Sequence, residues 1–139
     1  MTVYRFFKMA GIASLLLSIV ACDNHDSKLA APLGDKAALE KLAKAYRTVE
    51  ENQQLGSSPL RLASDKRKKC IETVFEEGGY NYSATLHSLA ENNLNVIDQN
   101  IKDMAELLLI PHRASAMAME DIYSEQELKD VRVIESKLK

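Results

Sequence analysis

The sequence predicts an all-α protein, a small irregular four-helix bundle over residues 35–139. Apolar residues recur three and four positions apart in four segments, which is the spacing of one helix face. No segment alternates apolar and polar residues over the length of a half-buried strand. Residues that start or stop helices also lie at the ends of these segments. Together these patterns indicate a single helical domain.

The first predicted helix begins after Asp35, whose carboxylate suits the free N–H groups at a helix start. Its apolar face consists of Leu39, Leu42, Tyr46 and Val49. Gly56 is predicted to close the helix, because glycine readily adopts the left-handed conformation found after helix ends.

The second predicted helix opens with Ser58 as the cap and Pro59 in the first turn. Its apolar positions are Leu60, Ala63, Cys70, Ile71, Val74 and Phe75. Residues 65–69 are only weakly amphipathic, so we expect the helix to start late or to be broken there. Gly78 and Gly79 are predicted to stop it.

The third predicted helix is the longest, running from about Ser83 to just before Pro111. One side carries Leu86, Leu89, Ala90, Val96, Ile97, Ile101, Met104, Ala105 and Leu108. Residues 107–110 are apolar all round, which predicts the buried centre of the bundle.

The last segment contains a mixed stretch and a clear final helix. Residues 111–123 predict at most a short helix with Met117, Met119, Ile122 and Tyr123. Ser124 and Glu127 then form a capping-box pattern, which marks a helix start. Leu128, Val131, Ile134 and Leu138 follow at helical spacing.

The N-terminal segment has the pattern of a cleaved secretory signal. Arg5 and Lys8 give a positive start, and residues 9–21 are uncharged and mostly apolar. This run is shorter than the roughly 20 residues that a membrane-spanning helix needs. The alternative is that this run forms a buried core helix, but the residues on either side of it are typical of a secretory signal instead.

Residues Ile19, Val20, Ala21 and Cys22 follow this run, and the sequence then turns abruptly polar. This arrangement resembles the lipobox of bacterial lipoproteins. The resemblance implies diacylglycerol on Cys22, cleavage after Ala21 and acylation of the new amino terminus. It divides the chain into a signal peptide (1–21), a lipidated cysteine with a flexible tether (22–34) and a helical domain (35–139).

Asp23 and Asn24 follow the cysteine. In lipoproteins of enteric bacteria that resemble this one, an aspartate in that place holds the protein in the inner membrane. The resemblance therefore implies an inner-membrane protein facing the periplasm, in preference to the outer membrane.

The charge balance gives no indication of nucleic-acid binding. The sequence holds 18 basic and 20 acidic residues, and the first 21 residues contribute Arg5 and Lys8 but no acid. The remaining chain is therefore net acidic by four charges, and we expect no nucleic-acid partner.

Cys70 is left without a partner in the same chain if Cys22 carries lipid. A free cysteine on an apolar helix face is most often a small buried hydrophobic residue. An intermolecular disulfide and a reactive thiol remain open, since the basic residues 66–69 would lower the thiol pKa.

Two further polar features have an ordinary structural explanation beside a functional one. The basic residues 66–69 occupy one helical turn, where they are solvated or contact anionic lipid headgroups; Lys68 is placed to pair with Glu72. His87 and Glu91 are four residues apart, which suits either a surface pair or two metal ligands. No third ligand is identifiable, so no metal or other cofactor is expected.

Tyr80 and Tyr82, beside the two glycines, are the most plausible recognition residues. A tyrosine presents a large apolar ring ending in a hydroxyl, which suits an interface. The alternative is that both rings cap one end of the bundle.

The sequence contains no nucleophile elbow, phosphate loop or metal triad, so an enzyme is not favoured. The predicted function is a membrane-anchored, non-enzymatic interaction module of the cell envelope. An assembly factor for a secretion or conjugation machine and an immunity or exclusion protein both fit. Its expected partners are membrane lipid, through the Cys22 anchor, and another envelope protein. The alternative is a small periplasmic enzyme or redox protein using Cys70.

Overall fold

The computed structural model describes residues 29–93, 98–114 and 117–139. These residues form helices and turns without any strand, which confirms the all-α prediction. The described part holds six α-helices where four were predicted: α1 (Lys36–Asn52), α2 (Leu60–Glu77), α3 (Tyr82–Glu91), α4 (Gln99–Leu108), α5 (Ile110–Arg113) and α6 (Glu125–Leu138). None of them combines the length and apolar character that crossing a membrane requires. The predicted signal peptide, Cys22, Asp23 and Asn24 lie outside the described residues.

The first helix starts as predicted but closes differently. The Asp35 carboxylate accepts hydrogen bonds from the N–H groups of Ala37 and Ala38. After the helix ends, Gln54 takes the left-handed conformation, with φ of 52°. Gly56, the predicted closing residue, lies instead in a short 3-10 turn, Leu55–Ser57. Leu55 is fully buried and fastens this turn to the core.

The second helix is continuous through its basic segment, so it is neither late nor broken. Pro59 occupies the N-cap position rather than the first turn. The two glycines do end the helix: Gly79 has φ of 92°, and the Tyr80 N–H donates to the Phe75 carbonyl at 2.8 Å. This hydrogen bond belongs to a Schellman motif, in which a left-handed glycine lets the chain satisfy the last helix carbonyls.

The long third helix predicted from the sequence is wrong, because two helices occupy that stretch. α3 ends at Glu91, and α4 begins after Asp98, whose carboxylate accepts from the N–H groups of Asn100 and Ile101. Asparagine and aspartate compete with helical hydrogen bonding through their own side chains, which favours a break at Asn92 and a new start at Asp98. Val96 and Ile97 lie outside the described residues.

The apolar stretch at residues 107–110 forms the predicted buried centre. Leu107, Leu108 and Leu109 are all buried. α4 ends at Leu108, and Pro111 then sits in the first turn of α5, where its missing N–H costs nothing.

The last helix begins with the predicted capping box. The Ser124 hydroxyl accepts from the Glu127 N–H, and the Glu127 carboxylate accepts from the Ser124 N–H. At the other end, the Lys137 ammonium donates to the carbonyls of Ala90 and Asn92, which are free at the end of α3. The predicted short helix before α6 is a 3-10 turn, Met119–Asp121.

The helices pack in pairs around one core. α1 and α2 are antiparallel neighbours, since Gly78 at the end of α2 lies beside Leu42. α3 and α6 are parallel: Ser83 contacts Glu127 near their starts, and Lys137 reaches Ala90 near their ends. Core residues from five helices include Leu42, Tyr46, Ile71, Phe75, Tyr82, Leu86, Met104, Leu108 and Ile134.

The end of the predicted tether belongs to the folded domain. The Ala31 N–H donates to the Thr85 hydroxyl at 2.9 Å, and the Asn81 N–H donates to the Leu29 carbonyl at 2.8 Å. Ala31 is 2% exposed. Residues 29–34 are therefore a docked segment that packs with the helical domain predicted to begin at Asp35. The backbone N–H of Ala31 and the carbonyl of Leu29 thus form hydrogen bonds with residues that lie far away in the sequence.

Candidate functional site

The first turn of α2 exposes apolar side chains. Leu60 is 62% exposed and Leu62 is 52% exposed, and Arg61 lies between them. We call this turn the leucine end. The sequence placed Leu60 on the buried face, but burial begins one turn later, at Ala63 and Ser64. Ser64 donates to the Ala114 carbonyl at 2.8 Å, so the contact with α5 starts there.

A groove of about 450 Å³ runs between α1 and α2. Apolar side chains line it, namely Val49, Cys70 and Val74, and the ammonium groups of Lys66 and Lys69 lie along it. Leu62 and Lys66 are four residues apart on α2, so this end of the groove lies one helical turn from the leucine end. We call it the α1–α2 groove.

Cys70 is half-buried in this groove and packs against the core. Burial raises the pKa of its thiol, and the charges of Lys66 and Arg67 only partly offset that effect. A raised pKa leaves less thiolate at neutral pH, which weakens a nucleophilic or redox role. Cys70 therefore has the position of a small packing residue with one side exposed.

The two tyrosines that the sequence singled out occupy different environments. The Tyr82 ring is 2% exposed and meets the Phe75 ring edge to face, with centroids 5.7 Å apart. Its hydroxyl donates to the Leu108 carbonyl. This burial corrects the prediction for Tyr82, because a core ring is not accessible to a partner. Tyr80 is half-buried and packs against the core.

The four basic residues 66–69 occupy one helical turn and point in several directions. Arg67 pairs with Glu50 on α1. Lys68 pairs with Glu72 at 3.1 Å, as predicted, and also with Glu127 on α6. Two of the four basic groups therefore hold helices together, and only Lys66 and Lys69 are exposed.

His87 and Glu91 form the predicted pair, with Nε2 and Oε2 3.2 Å apart. The sequence did not reveal that Nδ1 also lies 3.2 Å from the Asp130 carboxylate. The hydrogen bond and charge of Asp130, with the charge of Glu91, raise the pKa of His87. Within residues 29–93, 98–114 and 117–139, no group of three or more potential metal ligands converges.

The leucine end and the docked segment lie at opposite ends of α2. Leu29 contacts Asn81, just beyond the C-terminal end of the helix, whereas Leu60 starts the helix. α2 has 18 residues, so the two sites are separated by about 27 Å along its axis. No family model, curated protein or solved structure matches this chain.

The sequence offered a weak signal for the leucine end. Two leucines flank an arginine directly after a proline, and a helical wheel cannot place both on one buried face. Both leucines are exposed because no described residue packs over the first turn of α2.

Proposed function

We propose that this protein is a membrane-anchored lipoprotein of the cell envelope that presents the leucine end of its domain to another protein. The lipobox-like residues before Cys22 and the polar residues after it support the anchor. The observation that carries the proposal is the placement of Leu29 and Leu60 at opposite ends of α2.

The docked segment shortens the link between lipid and domain. Only residues 23–28 remain between Cys22 and Leu29, and six residues reach at most about 20 Å when fully extended. The end of α2 near Asn81 is therefore tethered close to the bilayer, and the leucine end, about 27 Å along the helix, can extend farther from it.

Charge indicates the chemistry of the partner. Arg61 lies in the leucine end, and Lys66 and Lys69 continue from it along the groove, with Asp65 as an opposing charge. An apolar segment bordered by acidic residues complements this surface. We therefore infer a protein partner with such a segment.

Lipidation is tested by growing cells with a labelled fatty acid. The wild-type chain should take up the label and Cys22→Ser should lose it, since the thiol is the attachment point. Cys70→Ser is the matched control and should be labelled like the wild type. Equal labelling of Cys22→Ser would contradict the anchor.

Sorting is tested separately by density-gradient fractionation of the membranes. Following the resemblance to enteric lipoproteins, the wild type should remain with the inner membrane and Asp23→Ser should move to the outer membrane. Wild-type protein in the outer membrane, or no movement of the variant, would refute the sorting proposal while leaving lipidation intact.

The interaction is tested by placing a photo-reactive amino acid at position 62 of the full chain in cells. We expect one adduct with an envelope protein, lost when Leu60 is changed to Asp. The matched control places the same group at Val133, which is 40% exposed on α6, and should give no adduct. Equal adducts from both positions, or a cross-linked segment without acidic residues, would contradict the proposal.

A further inference from the structure

A second cleft, of about 330 Å³, lies where α1, α2, α4 and α5 meet. Three guanidinium groups line it: Arg47 from α1, Arg67 from α2 and Arg113 from α5. Apolar side chains, among them Leu107 and Ile110, complete its wall. We call it the arginine cleft. It shares no lining residue with the α1–α2 groove.

Arg67 is the most rigidly held of the three arginines. Its guanidinium donates to the Glu50 carboxylate and lies 3.5 Å from the Tyr46 hydroxyl oxygen. The side chain is 14% exposed, and its Nε is buried without an acceptor in the described part of the chain. This Nε is closed to solvent, so a ligand in the cleft would meet the Arg67 guanidinium only at an Nη nitrogen.

Arg113 and Arg47 are held more loosely. The Nη2 of Arg113 lies 3.5 Å from carboxylate oxygens of both Glu106 and Glu135, which is long for a hydrogen bond, and the side chain is half exposed. Arg47 is exposed and forms no ion pair within the described residues. Arg47 is therefore free to turn toward a bound anion, whereas Arg113 would have to exchange its two long ion pairs for contact with that anion.

The charge of the cleft limits what that anion can be. Three arginines and one acidic residue, Glu50, line it, and the carboxylates of Glu106 and Glu135 lie beside Arg113. Glu50 already engages Arg67 and would repel a second negative charge close to it. A single negative charge therefore fits this lining better than a phosphate dianion.

We propose that the arginine cleft binds a carboxylate joined to a small apolar body. Guanidinium groups match a carboxylate with two parallel hydrogen bonds, and the wall near Leu107 and Ile110 suits an aliphatic group. The cleft is at the small end of ligand-pocket volumes, about 300–1,000 Å³. Such a carboxylate is either a small organic acid or the C-terminus of a peptide that ends in an apolar residue.

The test is titration calorimetry on the full chain in nonionic detergent. The probes are N-acetyl-leucine, an acetylated tripeptide with a C-terminal leucine, and the amide of each as the uncharged control. We expect the acids to bind and the amides not to bind. Tighter binding of the tripeptide identifies a peptide C-terminus as the ligand, and equal binding identifies a small acid.

The matched variants are Arg47→Gln and Arg113→Gln, with Arg132→Gln on α6 as the control outside the cleft. Loss of one guanidinium should weaken acid binding at least about tenfold, while Arg132→Gln should bind as the wild type. Equal binding of acids and amides, unchanged binding by both cleft variants, or no binding of either acid at millimolar concentration would overturn the proposal. This result is independent of the partner at the leucine end, because the two surfaces share no residue.

Discussion

The ammonium nitrogen of Lys68 lies 3.1 Å from the Glu127 carboxylate and joins α2 to α6 in the interior. The same nitrogen lies 5.9 Å and 5.6 Å from the ring centroids of Tyr82 and Tyr123, within the range of a cation–π contact. Burial raises the pKa of Glu127, but hydrogen bonds from Ser83 and the Ser124 N–H, together with Lys68, bring it below its usual value. Glu127 is thus an ionised carboxylate that serves both the helix cap and the interhelical pair.

Lys68→Met should destabilise the fold by about 3–5 kcal/mol, because it leaves the Glu127 carboxylate buried without its countercharge. The measurement is the free energy of unfolding from a urea titration. Lys36→Met is the matched control, since its pair with Glu40 is exposed and should contribute little. The double variant Lys68→Met with Glu127→Gln should recover part of the loss, because the amide oxygen can still accept from the Ser124 N–H while the unpaired charge is gone. If Lys68→Met and Lys36→Met had equal free energies of unfolding, a structural role of the Lys68–Glu127 pair would be contradicted.

Leu108→Ala should reduce the free energy of unfolding by about 2–5 kcal/mol, because Leu108 is fully buried at the end of α4. Leu62→Ala removes the same atoms from an exposed position and should have little effect on stability. A neutral Leu108→Ala would mean that this part of α4 is not in the core.

Thr85→Val should loosen the docked segment, since it leaves the Ala31 N–H buried without an acceptor at a cost of about 1–3 kcal/mol. The expected result is faster hydrogen exchange at Ala31, measured by NMR. Thr73→Val is the control, because the Thr73 hydroxyl only donates to the Lys69 carbonyl of its own helix. Unchanged exchange at Ala31 would argue that residues 29–34 are a free tether, as the sequence had indicated.

His87 should make stability depend on pH. The pKa of the His87 ring is raised in the folded state, first by the hydrogen bond with Asp130. The stabilisation that the protonated ring provides is therefore fully present below the pKa of the unfolded chain, about 6.5. That contribution is lost as the pH rises from there through the folded pKa. NMR titration should give an elevated pKa for the His87 ring in the wild type and a lower one in Asp130→Asn. His87→Gln should lose this part of the pH dependence, and a ring that titrates at or below the usual value would refute the coupling.

Cys70 should react slowly with iodoacetamide in the folded protein and quickly after denaturation, because burial raises its pKa and covers part of the side chain. The rate is measured against Cys70→Ser, which subtracts any reaction at Cys22. Native labelling as fast as that of the unfolded chain would favour the redox alternative.

Helix ends were predictable where the deciding hydrogen bonds are local. Asp35, the Ser124 and Glu127 pair, and Gly79 each act on groups within a few residues, so the sequence contains the whole interaction. The break between α3 and α4 was harder to predict. Apolar residues at helical spacing continue across this break. That pattern predicted one long helix in spite of the local preferences of Asn92 and Asp98.

The sequence by itself determined the helical class, the helix ends at Asp35, Gly79 and Ser124, and the lipobox-like pattern before Cys22, because each depends on neighbouring residues or on a fixed repeat. Only the tertiary structure decided which polar groups meet. It brought Ala31 to Thr85 and Lys68 to Glu127, and it assembled Arg47, Arg67 and Arg113 around one cleft. Residues so far apart in the chain meet only when the helices pack, and the helix pattern does not fix how they pack.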